Sequence, residues 1–175
     1  GRQIDMRAEV GCLSRNVVIR GDDDHTLAQK YGPHIHMHDH RTGNCLESSV
    51  DDCGVSETFM RLSDVEMRNC GQSSRLGRYC IHFHMHGDAS RSYLRGNAVH
   101  HSFHRAVAIH GTHRLRLIDN VAYNIEGHAY FLEDGIEMEN VFEGNLGIWA
   151  RRSHSSLNTD ASPCLLYTSP SPRDY

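Results

Sequence analysis

Histidine occupies every second position in two short stretches: His34, His36, His38 and His40 in PHIHMHDH, and His82, His84 and His86 in IHFHMHGD. Imidazole can ligate a metal, hydrogen-bond a sugar, or exchange a proton near neutral pH, its unperturbed pKa being about 6.5. Further on, HHSFHRAVAIHGTH and GHAYFLEDG add His104, His110 and His128 beside the acidic pair Glu133 and Asp134. A carboxylate next to an imidazole acts as general acid or base, or fixes the ring tautomer. Glycosidic cleavage by the common route needs two carboxyl groups spanning the scissile bond, which makes Glu133, Asp134 and Asp88 the candidate catalytic groups. A surface ion pair or a turn residue is the plainer reading of each taken singly.

Elements that could present these side chains follow from the spacing. A β-strand turns successive side chains to opposite faces, so each histidine run gathers its rings on one side, with Ile81, Phe83 and Met85, or Ile35 and Met37, on the other. A helix would scatter the rings around its circumference. The reading is therefore an outer surface of imidazoles over an apolar interior. Alternate residues of one strand lie about 7 Å apart, too far to converge easily on one zinc at ~2.0–2.1 Å. Neighbouring strands lie only ~4.8 Å apart, so metal ligands would come from stacked strands: His82 or His84 with His36, His38 or His110. His36, His38, His82 and His84 form the candidate metal set, with calcium or zinc as the candidate divalent ion; a solvated row of histidines is the rival. The acidic run Asp22, Asp23 and Asp24 and the pair Asp51 and Asp52 could ligate calcium through oxygen, or be solvated turns; no EF-hand spacing is present. No Walker loop, dinucleotide fingerprint or GxSxG elbow occurs.

Strand-like segments alternate with Gly, Asn and Asp turns: NVVIRG, the first histidine run, Phe59 to Met67, the second histidine run, AVAIHG, RLRLIDN and AYFLEDG. No convincing amphipathic helix separates them, which points to a solenoid. Aligning Asn97 with Asn120, twenty-three positions on, matches Leu94 with Leu117, Val99 with Ala122, Val107 with Tyr130, Ala108 with Phe131, Ile109 with Leu132 and His110 with Glu133. A shorter third unit follows at Met138 to Trp149. This period suits one coil of a parallel β-helix. Asn69, Asn97, Asn120 and Asn145 recur near strand ends, where asparagine tolerates left-handed backbone and bonds to turns, so stacked asparagines would brace successive corners.

The 175 residues carry 18 Lys and Arg against 22 Asp and Glu, a formal charge of −4, with 15 histidines to make that charge pH-dependent. Lys30 is the single lysine and there is no basic stripe, which argues against nucleic acid as a partner. The chain opens at Gly1 with no signal peptide or membrane-spanning apolar run, and reads as an interior piece of a longer protein. Residues 1–150 are expected to form the β-helix repeat domain and 151–175 a disordered tail. Its end, ASPCLLYTSPSPRDY at 161–175, resembles translated sequencing-adaptor read-through; a Ser/Pro linker is the alternative. Cys12, Cys45, Cys53, Cys70, Cys80 and Cys164 show no zinc-finger spacing. Cys45 and Cys53 could close a small loop, or all six could be free thiols.

The strings AEVGCLSRNVVIRGD, LGRYCIHFHMHGD, SYLRGNAVHHSFHRAVAIHGTH and NVAYNIEGHAYFLEDGIEMEN resemble the parallel β-helix region of a large extracellular family. That family includes fibrocystin-L, the cell-migration-inducing hyaluronan-binding protein and the transmembrane cell-surface hyaluronidase. The resemblance runs from about Ala8 to Trp149. It implies an all-β, right-handed parallel β-helix in a secreted or cell-surface setting, with any membrane attachment made by other segments of the parent. It also implies an acidic glycosaminoglycan partner. Arg78, His82, His84, Asp88, His104, His110, His128, Glu133 and Asp134 fall on its motifs; Cys80 departs from them, proline being usual there. The expectation is a face on which Arg75, Arg78, His82, His84, His104, His110 and His128 bind an acidic polysaccharide such as hyaluronan. Glu133 and Asp134 would supply acid–base chemistry if the chain is cut. Protonated imidazoles would add positive charge and tighten binding at pH ~5.5 relative to ~7.5. The rival is a non-catalytic surface receptor of the fibrocystin-L kind, its β-helix structural.

Overall fold

The computed structural model describes residues 6–39 and 57–153. His40, the expected Cys45–Cys53 pair, Asp51, Asp52, Cys164 and the tail from 154 onward lie outside the described residues. Among the described residues thirteen strands and one helix follow in the order β1 (Val17–Arg20), α1 (Asp23–Gln29), β2 (Ile35–His38), β3 (Arg61–Ser63), β4 (Val65–Arg68), β5 (Ile81–Asp88), β6 (Tyr93–Arg95) and β7 (Ala98–His100). β8 (Val107–His113), β9 (Arg116–Ile118), β10 (Val121–Glu126), β11 (Tyr130–Leu132), β12 (Val141–Glu143) and β13 (Leu146–Arg151) complete the set. They form three parallel sheets: β1-β4-β7-β10-β13, β2-β5-β8-β11 and β3-β6-β9-β12. The chain visits the sheets in rotation, which is the path of a parallel β-helix. Among the described residues no helix is long and apolar enough to cross a membrane.

In-register pairing builds the core from rows of like residues. Ile35, Ile81 and Val107 stack in one interior row, Met37, Phe83 and Ile109 in the next. Leu62, Leu94 and Leu117 stack from the sheet opposite. Phe83, Ile109, Leu94 and Leu117 are at most 1% exposed. No single coil could bury these faces; each is covered only because its neighbour carries the same pattern. The pairs Leu94/Leu117, Val99/Ala122, Val107/Tyr130, Ala108/Phe131 and Ile109/Leu132 are register partners, as the repeat requires.

Stacked asparagines brace one corner as expected, though without left-handed backbone of their own. The Asn97 Nδ2 donates to Asn120 Oδ1 at 2.9 Å, and Asn120 Nδ2 to Asn145 Oδ1 at 2.9 Å. The same carboxamide oxygens accept from the Asn97 and Asn120 backbone N–H, at 3.0 Å in both cases. Each Nδ2 also donates to a carbonyl, Leu62, Leu94 or Leu117. The left-handed residue is the one before each asparagine: Gly96 (φ 64), Asp119 (φ 53) and Gly144 (φ 63), with Asp64 (φ 55) at the equivalent place below. Aspartate and glycine alternate up this corner because a Cβ on Gly96 would meet the Asp64 carboxylate at 2.5 Å. Asn69 stands apart from the ladder; it takes φ 50 itself and its Nδ2 donates to Asp23.

Two local expectations are overturned. The run Asp22–Asp24 starts helix α1: Asp22 is its N-cap, its Oδ1 accepting from His25 N at 2.9 Å, and Asp23 and Asp24 sit in the first turn, where the helix dipole favours anions. Asp23 also pairs with Arg20, so the run is a capping motif rather than an oxygen cage for calcium. In β5 the alternation stops at a bulge between His84 and Gly87, where Met85 adopts φ 50. Met85 is therefore half-buried instead of filling the core, and His86 leaves the outer row, its ring buried 6.0 Å from that of Phe83.

The ladder predicts an asymmetry between two asparagines. Asn120→Ala takes the acceptor from the Asn97 N–H and Nδ2 and the donor from Leu94 O and Asn145 Oδ1, and should cost roughly 2–4 kcal/mol. Asn69→Ala, outside the ladder, should cost well under half of that; urea midpoints of the two variants check the difference.

Candidate functional site

The outer face of the sheet β2-β5-β8-β11 aligns His36 with His82 and His38 with His84 and His110. Glu133 continues the second row, its N–H donating to Ile109 O at 2.9 Å. The His36 and His82 rings lie nearly parallel with centroids 4.9 Å apart, and His38 stacks on His84 at 5.4 Å. Strand pairing thus delivers what one strand cannot: several imidazoles within reach of a common point.

Behind the histidines stand two residues that the sequence pattern did not single out. Arg105, 2% exposed, lies with its guanidinium 3.7 Å from the Phe131 ring centroid and 4.8 Å from that of Tyr79. It donates to Tyr79 Oη at 3.0 Å and approaches Glu133 at 3.9 Å, while Tyr79 Oη donates to Glu133 at 3.5 Å. Both occupy corners between strands, where no periodicity marks a residue as functional; the one local signal is a buried arginine among aromatics.

Hydrogen bonds fix which ring nitrogen of each histidine is available. The Gly77 carbonyl accepts from His82 Nδ1 at 3.0 Å, which leaves the His82 Nε2 lone pair toward Glu133. His84 Nδ1 and His110 Nδ1 are 2.9 Å apart, and His110 Nε2 is 2.9 Å from Asp134. With neutral rings, His110 donates to Asp134 and accepts from His84, so His84 also keeps Nε2 as a lone pair. His38 Nδ1 donates to the His84 carbonyl at 2.7 Å. The His82 Nε2 and Glu133 Oε2 atoms are both buried without a hydrogen-bond partner and face each other across 3.8 Å.

Two lone-pair atoms facing one another in this way are atoms that a metal ion could bridge. Two ligands of a tetrahedral zinc stand roughly 3.3 Å apart for bonds of ~2.0–2.1 Å, about half an ångström less than the gap seen. Donor atoms lie mutually within 4.8 Å in two overlapping sets, His36/His82/His84 and His82/His110/Glu133. His82 belongs to both. The imidazole content suits a zinc-like transition ion, whereas calcium takes oxygen ligands. Burial also favours ligation, holding the His82 pKa down to about 3 and the His84 pKa to about 4, with neighbouring imidazoles adding to the effect. These rings are thus neutral, as ligands must be. Burial raises the pKa of Glu133, against the opposing pull of Arg105 and His110.

The remaining expected residues are dispersed. His82 is only 3% exposed, so the face is less an open row of imidazoles than a half-covered cluster. His104 and His128 are buried: His104 packs edge-on against Tyr79 at 4.8 Å and accepts from Arg105 N, and His128 packs on Phe131 at 4.6 Å. Both support the site from behind. Asp88 ends β5 and is 2% exposed; it accepts from Ser90 N at 2.7 Å and Arg114 at 3.0 Å, which makes it a corner brace. Asp134 is committed to His110. Arg75 and Arg78 are exposed on the loop before β5, Arg78 with its Nη1 2.7 Å from His34 Nε2. The expected source of positive charge is corrected in part: His82 and His84, held neutral by burial, do not carry it at pH ~5.5.

Residues 55–173 match the family profile described as CEMIP beta-helix. Mouse fibrocystin-L is 36% identical over 95% of this chain and 4% of its own length. A zebrafish (Danio rerio) cell surface hyaluronidase is 38% identical over 85% of this chain and 11% of its length. The human cell migration-inducing and hyaluronan-binding protein is 35% identical over 83% of this chain and 11% of its length. The chain therefore spans about a tenth or less of the relatives it matches.

The depressed histidine pKa values set a stability profile for the metal-free protein. His82 binds a proton in the unfolded chain below about 6.5 but in the folded chain only near 3, so stability is full above the unfolded value and falls as pH drops from there. Between pH 7 and 5.5 urea midpoints should decline, the His82 contribution steepening toward ~1.4 kcal/mol per pH unit, and His82→Gln should flatten the decline.

Proposed function

The chain belongs to the CEMIP β-helix family, and from that premise we propose that its histidine wall is a recognition face for an acidic polysaccharide of the hyaluronan class, centred on a His82-held divalent metal. The observation that carries this reading is the pair of buried, unpartnered atoms, His82 Nε2 and Glu133 Oε2, aimed at one another within the wall. A bound divalent ion supplies a positive centre for a uronate carboxylate. Around it the chain's own groups divide the work. Arg75 and Arg78 offer exposed cations, His36 offers an exposed ring edge, and Tyr79 and Arg105 orient Glu133 from behind. The polysaccharide partner is supported by relatives named as hyaluronan-binding or hyaluronidase. An extracellular setting is supported by those names and by the Cys70–Cys80 disulfide, a bond that persists in oxidising compartments.

Recognition without cleavage fits the carboxylates best. The common glycosidase arrangement needs two carboxyl groups flanking the bond. Of the three candidates, Asp88 is tied to Arg114, Asp134 to His110, and Glu133 alone points into the cluster.

Binding of size-defined hyaluronan should weaken at least tenfold in His82→Ala and after chelation. It should weaken several-fold in Arg75→Ala/Arg78→Ala, more so at low salt. Affinity should change less than twofold between pH 7.5 and 5.5, because His82 and His84 stay uncharged there. Biolayer interferometry reads all three, and gel sizing of the same hyaluronan should show no shortening with or without added zinc. Shortened products abolished by Glu133→Gln would replace recognition with hydrolysis.

A further inference from the structure

Resting on the reading of His82 as the hub of the site, we propose that the loop closed by the Cys70–Cys80 disulfide is a positioning device that locks the His82 tautomer through the Gly77 carbonyl. Both cysteines are fully buried and anchored in the coil stack: Phe103 N donates to Cys70 O at 2.8 Å, and Cys80 N to Arg105 O at 3.0 Å. The crosslink spans ten positions and ties the loop's two ends together immediately before β5. Between them Ser74, Arg75, Leu76 and Arg78 are exposed, so little burial holds the tip in place. What holds it is hydrogen bonding at the base, Gly32 N to Gly71 O at 2.8 Å, Gly71 N to Pro33 O at 2.9 Å and Gln72 N to Arg78 O at 2.8 Å, together with the covalent closure.

At the tip Gly77 adopts φ +79, and a Cβ there would meet nothing nearer than His82 Cε1 at 3.9 Å. Space is available, so glycine is needed for the backbone conformation that returns its carbonyl to His82 Nδ1. That carbonyl only accepts, so it selects the ring form with hydrogen on Nδ1. Nε2 is left as a lone pair toward Glu133. The opposite tautomer would point an N–H at the cluster and remove the ligand atom. Partners outside the ligand set are what fix ring orientation in histidine metal sites, and losing one typically costs 10–100-fold in affinity.

The test uses the full chain with 15N-labelled histidine, in wild type, Cys70→Ala/Cys80→Ala and Gly77→Ala, with His82→Gln to assign the resonance. Ring 15N shifts of metal-free protein report the tautomer, and competition with a chromophoric chelator gives the Co2+ affinity. Wild type should show the Nδ1–H form alone. Both variants should show mixed tautomers and a 10–100-fold loss of Co2+ affinity with unchanged circular dichroism. If the double variant does not fold, Gly77→Ala, which keeps the disulfide, decides. An Nε2–H ring in wild type, or an unchanged tautomer in the folded variants, overturns the lock. A wild type that binds no Co2+ but whose variants still lose the tautomer removes the metal reading and leaves the lock standing.

Discussion

In-register parallel pairing is the constraint from which everything else in this chain follows. Each backbone rung places a residue beside its equivalent one coil away, ~4.8 Å distant. Inside, that rule converts Ile35, Ile81 and Val107, or Leu62, Leu94 and Leu117, into continuous apolar columns. Outside, it converts isolated histidines into a cluster. At the corner it converts single asparagines into a ladder in which the carboxamides of successive coils are hydrogen-bonded to one another.

The site is a by-product of that stacking plus the irregular corners. Strand register supplies His36, His38, His84 and His110, yet the chemistry of the cluster is set by groups no strand pattern places: the Gly77 carbonyl, the Asp134 carboxylate at the end of a hydrogen-bonded histidine pair, and Arg105 sandwiched between Tyr79 and Phe131. Burial by these neighbours keeps the rings neutral and lifts the Glu133 pKa. His82 and His84, which by type look like pH-dependent cations, are once covered a neutral donor and lone pair each. The corner segments between the five-stranded sheet and the histidine sheet also shorten coil by coil, from 21–34 to 69–80, 101–106 and 127–129. The 69–80 segment reaches the wall through the Gly77 carbonyl on His82.

Sequence periodicity made the strands, the coil length and the asparagine ladder legible because each depends on spacing alone. It failed where a local kink intervened. Met85 takes a left-handed conformation at the bulge, so His86 and Met85 trade the surroundings that alternation would give them. It failed likewise for Asp22, Asp23 and Asp24, whose acidic run caps a seven-residue helix too short to show amphipathicity. Asp88, His104 and His128 looked like surface chemistry by type, but burial and hydrogen bonds give them bracing roles.

The order of residues by itself determined that this chain coils, which faces are apolar, and that histidines of different coils meet, because strand alternation and a repeat of about two dozen residues leave few other ways to bury the pattern. Only the folded arrangement decided which nitrogen of His82 is free, that Glu133 faces it, and that Cys70 and Cys80 are joined. Those outcomes turn on where corner segments bend and what covers a side chain, and both are settled by contacts between distant parts of the chain.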